Sequence, residues 1–449
     1  MHSTEAHGGS LDARSLRKIA LASMAGTSVE YFDFFLFASA AATIFPKVFF
    51  TAASSPLVAT IEAFAAFALG FVARPLGAML FGHFGDVLGR KTMFVVAMTL
   101  MGLATACMGL LPGYAMIGDA APLLLIALRL LQGIALGGQW GGAVLLILEN
   151  APAERQGWFC SFAQIGPPVG TILANIAFLI CTLTLGTEAF QAWAWRLPFL
   201  ASIALVGLGY WIHRRMEESD AFVAASRAKA DAGPRRSPLF AALRESPVPI
   251  LLAACTYMGM QASFYVLVSF VMSYAAQLPG APLSTSDMLV AVLVGAVVMI
   301  PAVFWASALS DRIGPARIIF WGAIGTALWS LAIFPLLDSG RLAATILAMA
   351  VGQVLNGCVF GPIAPLFGQL FGVRTRYSGM SLAYQLGSMV GGGLAPILAV
   401  SLLHGLGSGI AIGVYLMSMS LVSALCARTL SKSGYQVALP ANGPQPVGS

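Results

Sequence analysis

Gly82-His83-Phe84-Gly85-Asp86-Val87-Leu88-Gly89-Arg90-Lys91 and Leu309-Ser310-Asp311-Arg312-Ile313-Gly314-Pro315-Ala316-Arg317 are two versions of one turn. Each sets Asp-x-x-Gly ahead of basic residues and follows a long apolar run, and the aspartates stand 225 positions apart in a chain of 449. A second pair, Gln164-Ile165-Gly166 and Gln385-Leu386-Gly387, is offset by 221. Two like offsets near half the length predict a duplicated architecture. Glycines allow helices to approach closely and permit positive φ in a tight connection. Asp86 can meet Arg90 or the positive end of a neighbouring helix. The pattern predicts a breakable latch, formed by Gly82, Gly85, Asp86, Gly89 and Arg90 in the first copy and by Asp311 and Gly314 in the second.

The runs around these turns identify the solvent. Hydrophobic residues make up 58% of the chain and charged residues 9%, against about 25% charged in soluble domains. The ionisable residues gather in clusters between apolar runs of membrane-spanning length. Lipid cannot hydrogen-bond an open backbone, so these runs are read as helices. Twelve spans are expected: Ile19 to Phe45, Leu57 to Phe81, Thr92 to Leu111, Pro122 to Leu148, Gly157 to Leu183, Trp193 to Ile212, Pro249 to Ala276, Leu289 to Leu309, Ile318 to Leu337, Leu342 to Phe367, Gly379 to Leu403 and Ile410 to Thr429. An even number puts both termini on one face. That face carries 19 of the 24 Lys and Arg, with only Lys47 and Arg341 opposite, which predicts cytoplasmic termini. The net charge of +6 therefore belongs to loops at a membrane, not to a nucleic-acid surface.

The expected organisation is an N-terminal tail (1–18), a six-helix half (19–212), a charged linker (213–246), a second half (247–430) and a polar, Pro- and Gly-rich tail (431–449) read as disordered. The first apolar run is too long for a cleaved signal region and is retained. Six cysteines stand singly in apolar segments without metal or disulfide spacing. The five histidines form no metal pattern, and no Gly-Lys-Ser/Thr phosphate loop occurs. An enzyme, a cofactor and an ATP-driven pump are thus not expected, and the polar segments are too short for the output domain of a sensor. What remains is transport driven by an ion gradient or by the substrate's own gradient, with the substrate held near the midplane between the halves.

The charges inside the spans carry the chemistry. Glu30 and Asp33 lie three residues apart and share a helix face. A charged Asp near the bilayer centre costs about 2.5–3.5 kcal/mol, so Asp33 should face a cavity, a cation or a proton path. Asp33, Glu30, Arg129 and Glu149 are the proton-coupling candidates; structural ion pairing is the alternative for Glu30. Arg74 and Arg196 are substrate candidates because a guanidinium fork matches a carboxylate, the alternative being an ion pair with Glu30, Asp33 or Glu149. Tyr31, Phe32, Phe34, Phe35 and Phe37 crowd the first span, by default as packing, although rings can also hold a betaine through cation–π contact. Gln164, Gln261, Tyr265, Tyr384, Gln385 and Tyr31 complete the substrate-binding set, since polar groups within spans need partners that lipid does not offer. Three membrane arginines against few carboxylates favour a small organic anion; a zwitterion such as betaine or proline is the alternative.

The stretch from Gly82 to Lys91 resembles the loop motif of the major facilitator superfamily, and Arg129-Leu130-Leu131-Gln132-Gly133-Ile134-Ala135-Leu136-Gly137 resembles its fourth-helix Arg-x-x-x-Gly-x-x-x-Gly pattern. Gly26-Thr27-Ser28-Val29-Glu30-Tyr31-Phe32-Asp33, Ala73-Arg74-Pro75-Leu76-Gly77, Trp195-Arg196-Leu197-Pro198-Phe199 and Arg376-Tyr377-Ser378-Gly379 through Gln385-Leu386-Gly387 resemble the metabolite:proton symporter branch, which includes permeases for shikimate, 2-oxoglutarate, citrate, and proline or betaine. The resemblance implies an all-α integral membrane fold of twelve transmembrane helices in two pseudo-symmetric six-helix halves. It also implies alternating access and proton-coupled uptake by a monomer in a bacterial inner membrane, with a small molecule, protons and lipid as partners. Two departures stand out. Gln139 replaces a Glu common in helix four of this branch, and Gln369 replaces one that commonly precedes the helix-eleven Arg-Tyr. If either Glu normally handles the proton, coupling uses other carboxylates or is absent, and an uncoupled facilitator is the rival. Gly166-Pro167-Pro168-Val169-Gly170 partly resembles an exporter element, which leaves antiport as a lesser alternative.

Overall fold

The computed structural model describes residues 13–88, 90–137, 139–215, 243–278, 283–372 and 375–432. The expectations for most of the N-terminal tail, the linker and the C-terminal tail, and for Gly89, lie outside these residues. Long helical runs follow one another along the chain: α1 (Ala13–Thr43), α2 (Pro56–Leu88), α3 (Arg90–Leu110), α4 (Ala120–Leu136, resuming as Gln139–Asn150), α5 (Gln156–Gln164, resuming as Gly166–Leu185) and α6 (Arg196–Arg215). They continue as α7 (Pro247–Tyr265, a π-helical turn Val266–Phe270, then Val271–Ala275), α8 (Thr285–Ile313), α9 (Pro315–Asp338), α10 (Leu342–Phe360, resuming as Ile363–Leu370), α11 (Arg376–Ser388, a π-helical turn Met389–Gly393, then Ala395–Leu406) and α12 (Gly409–Lys432).

Among the described residues nine of these runs are long and apolar enough to cross a membrane: α2, α4, α5 and α7 to α12. The remaining three are α1, interrupted by Glu30 and Asp33, α3, whose apolar stretch is Val95–Leu110, and α6. The distribution of polarity is that of a protein in lipid. Leu183 and Leu328 are 69% and 68% exposed, whereas Arg129 is fully buried and Asp33 is 1% exposed. Apolar side chains face outward, and ionisable ones are held inside the bundle.

Small residues set the distances that matter. A Cβ on Gly77 would collide with the backbone oxygen of Ile134, one on Gly133 with that of Gly70, and one on Gly137 with that of Arg74. The glycines of the Arg129-x-x-x-Gly133-x-x-x-Gly137 pattern therefore bring the backbones of α2 and α4 into contact, which places Arg74 and Arg129 in one neighbourhood. Similarly, Gly166 and Gly170 seat α5 against Thr27 and Tyr31 of α1, so the Gly-Pro-Pro-Val-Gly element serves packing here. Pro167 and Pro168 begin the second segment of α5, where they need no intrahelical donor.

Helix pairings repeat along the chain. α2 packs on α4, α3 on α6 and α1 on α5; correspondingly α8 packs on α10, α9 on α12 and α7 on α11. Between the two sets, α5 meets α8, α2 meets α11 and α1 meets α7. The turn at Asp311 closes between α8 and α9 through Gly314 at φ 92°, a left-handed conformation that favours glycine. Of the first turn, Gly82, Gly85 and Asp86 lie in the last turns of α2 and Arg90 opens α3; the side chains of Asp86 and Arg90 are outside the description.

Candidate transport site

Arg74 and Arg129 form the centre of the candidate site. The Arg74 guanidinium lies 4.5 Å from the ring centre of Phe34 and 4.3 Å from that of Phe71. That of Arg129 lies 4.2 Å from both Phe34 and Phe37 and 4.8 Å from Phe67. Tyr265 closes the cluster edge-on to Phe34, Phe67 and Phe71 at 6.0, 5.7 and 5.2 Å. The aromatic crowd of α1 is thus partly a cage for two cations, where cation–π attraction in a desolvated setting offsets some of the cost of burying charge. It does not offset all of it. Nε and Nη2 of both arginines are buried without a hydrogen-bond partner among the described residues, and the two guanidiniums are near enough to repel one another.

The carboxylates approach from α1. Glu30 is buried within reach of the Arg74 charge. Asp33 faces Thr105 of α3 and Ser202 of α6, and its Oδ1 has no hydrogen-bond partner among the described residues. Gln132 joins this carboxylate's backbone to the cations. Its Nε2 donates to Thr105 Oγ1 at 2.9 Å and reaches the Asp33 carbonyl at 3.4 Å, while its Oε1 accepts from Arg129. Asp33, Gln132 and Arg129 therefore form one buried polar chain across α1 and α4.

Below the arginines lies a layer of stacked rings. Trp140 stacks on Tyr384 with centroids 3.8 Å apart, and Tyr384 on Tyr257 at 4.7 Å. The Tyr31 and Tyr384 hydroxyls share a hydrogen bond of 2.8 Å. Gln164 accepts from the Trp140 indole at 2.9 Å and donates to the Phe360 carbonyl at 2.9 Å, and Gln385 donates to the Gly137 carbonyl at 3.0 Å. The Gln164 amide thus has both ends engaged by protein partners. Gln261 donates to Ser388 between α7 and α11 at 2.9 Å. On the other side of the arginines, Ser269 and Ser273 of α7 donate to the carbonyls of Ala38 and Ala42 of α1 at 3.0 and 2.8 Å.

Asp311 accepts from the backbone N–H groups of Gly157 and Trp158, at 2.6 and 2.9 Å. These are free donors of the first turn of α5, so the end of α8 caps the start of α5 with charge opposite to the helix dipole. Replacing Asp311 by alanine is expected to favour separated helix ends by about 1.5–3 kcal/mol, the worth of a charged hydrogen bond; asparagine, which keeps an acceptor, should do less. Distances between spin labels at the two ends should lengthen in the alanine variant, and an unchanged distribution would leave Asp311 a purely local cap.

Other expected residues lie apart from this site. Glu149 is exposed near the end of α4. Arg196, half-buried at the start of α6, donates to the Leu111 carbonyl at 3.0 Å and lies over Trp195. Gln369 lines a polar groove of ≈ 360 Å³ beside Asp311, Gly314 and Arg317. The Gln139 side chain is outside the description. Among the described residues, no group of three or more His, Cys, Asp or Glu is placed to hold a metal. Sequence reasoning missed Gln132, Thr105, Ser202 and Trp140 as site residues. Gln132 had a signal, lying one helical turn from Arg129, and Trp140 adjoins the unusual Gln139; the two hydroxyl residues had none.

A family model for the Major Facilitator Superfamily matches residues 24–396. The chain belongs to the major facilitator superfamily. It is a transporter and not an enzyme. Among its relatives are the shikimate transporter of Escherichia coli, 35% identical over 96% of this chain and 98% of that one, and an inner membrane metabolite transport protein of the same organism, 38% identical over 90% and 92%. A solved structure of the E. coli xylose transporter, in a partially occluded inward-open conformation, has a TM-score of 0.71 at 15% identity and covers 92% of this chain and 97% of that chain. That likeness establishes the fold shared across the superfamily.

Proposed function

We propose that this major facilitator takes up a small organic carboxylate together with protons, by alternating access between two six-helix halves. In this reading α1, α3 and α6 complete twelve membrane spans, both termini are cytoplasmic and the membrane is a bacterial inner membrane. The observation that carries the substrate class is the pair of buried guanidiniums, Arg74 and Arg129, whose Nε and Nη2 donors have no partner among the described residues. Two buried guanidiniums share the single carboxyl of Glu30 nearby, a costly excess of positive charge, and an anionic substrate at Arg74 would relieve that cost through a fork of charged hydrogen bonds. The same pair argues against betaine, because the ring faces of Phe34, Phe37, Phe67 and Phe71 are already taken by cations. The shikimate-transporting relative also handles an organic acid. In this reading Asp33 and Glu30 are the carboxylates that couple protons to the arginines, with Gln139 and Gln369 in the positions where the branch it resembles commonly carries Glu.

The test is uptake by purified protein in proteoliposomes across a panel of organic acids, proline and betaine, with and without an inwardly directed pH gradient. The expected outcome is saturable uptake of a carboxylate that the gradient accelerates and accumulates. Equal rates with and without the gradient would make the protein an uncoupled facilitator, and uptake confined to proline or betaine would overturn the assignment of Arg74.

A further inference from the structure

The ring layer sits at one depth. Gln164 lies eight residues into α5 and Tyr384 eight into α11, Tyr257 ten into α7, while Trp140 and Phe360 lie ten residues before the ends of α4 and α10. At 1.5 Å per residue, all five are about 12–15 Å from the helix ends that carry the Asp311 latch. Its principal contacts join α1–α6 to α7–α12. Trp140 stacks on Tyr384, Tyr31 bonds Tyr384, Gln164 bonds the Phe360 carbonyl and Gln385 bonds the Gly137 carbonyl. Rings that merely fill a core would be expected to pack within one set of helices, whereas these stand on the seam along which the sets must part.

We propose that the Trp140–Tyr384 stack is the gate between the arginine site and the Asp311 face, and that Gln164 is the positioning residue that determines how readily it opens. The proposal rests on the alternating-access reading above. Rings 3.8 Å apart and 14° from parallel leave no gap between them for water, and in the gate reading substrate leaving toward the latch passes when they separate. The closure is of a kind that can be broken and remade in each cycle, since its polar bonds are neutral and few. Gln164 spans both sides of the seam, fixing the Trp140 indole with Oε1 and the α10 backbone with Nε2. One turn nearer the latch on the same helix lies Cys160, fully buried and within electrostatic reach of Asp311 across the α5–α8 contact. Opening of the gate exposes this thiol.

The experiment uses a full-length protein that retains Cys160 and has serine at Cys107, Cys181, Cys255, Cys358 and Cys426, in membrane vesicles of each orientation, labelled with a membrane-impermeant maleimide. Gln164→Leu and Trp140→Phe, the second preserving an aromatic stack, are each expected to speed labelling from the latch side about fivefold, as befits loss of a neutral hydrogen bond. The double variant should label no faster than Gln164→Leu alone, because both changes remove the same bond. Unchanged labelling in variants that remain monodisperse after purification would overturn the gate, as would acceleration from the opposite face only. Additive rates in the double variant would remove Gln164 from its positioning role. The labelling needs no substrate, so its failure is distinct from failure of the organic-anion reading.

Discussion

Replacing Arg74 by lysine is expected to raise the carboxylate concentration for half-maximal uptake about tenfold, and replacing it by glutamine about a hundredfold. The figures follow from the worth of hydrogen bonds to a charged group, about 1.5–3 kcal/mol, in a setting where the guanidinium is buried and its Nε and Nη2 have no protein partner among the described residues. Lysine keeps the charge and loses the fork, so it should retain part of the affinity but little of the orientation. It also loses the flat contact with Phe34 and Phe71, so membrane insertion and monodispersity must be checked alongside uptake. The decisive comparison is between an acid and its uncharged amide. The native protein should prefer the acid strongly and the glutamine variant should not. A glutamine variant that kept both affinity and preference would show that the carboxylate binds elsewhere.

How much of this was legible in the sequence depends on which force specified it. Apolar runs and tight turns follow from local rules, apolar length and glycine spacing, as at Gly314, and Gly133 and Gly137 stood out as a motif although α2 as their partner did not. Buried charge is also conspicuous in an apolar chain, so Asp33, Arg74 and Arg129 stood out. What could not be read was who meets whom across the seam. Tyr31 and Gln164 appeared as polar groups in search of a substrate, yet their partners are Tyr384, Trp140 and the Phe360 carbonyl. Those pairings depend on how helices remote in sequence are rotated about their axes, which no local spacing encodes. Phe34 and Phe37 illustrate the same point, because in a helix rich in Phe nothing marks the two rings that will lie under guanidiniums.

Asp33→Asn should abolish accumulation against a gradient while leaving exchange of substrate across the membrane within about threefold of native. In a cycle that carries one proton per neutral substrate–proton pair, an inward gradient of one pH unit sustains about tenfold accumulation, equivalent to about 1.4 kcal/mol; the variant should show no net accumulation. The reason lies in the route from the Asp33 carboxyl, which faces Thr105, through Thr105 and Gln132 to Arg129. A carboxylate that gains or loses a proton there changes the net charge around two arginines that otherwise repel each other, and so changes how strongly the site draws an anion. Asparagine fixes the uncharged form, which permits loading and reorientation with substrate but cannot release a proton to reset the cycle. Glu30 is the natural comparison, being buried near Arg74 rather than beside Thr105 and Ser202. Glu30→Gln with accumulation lost and Asp33→Asn with accumulation intact would transfer the proton to Glu30. Accumulation that survived both substitutions would place coupling outside α1 altogether.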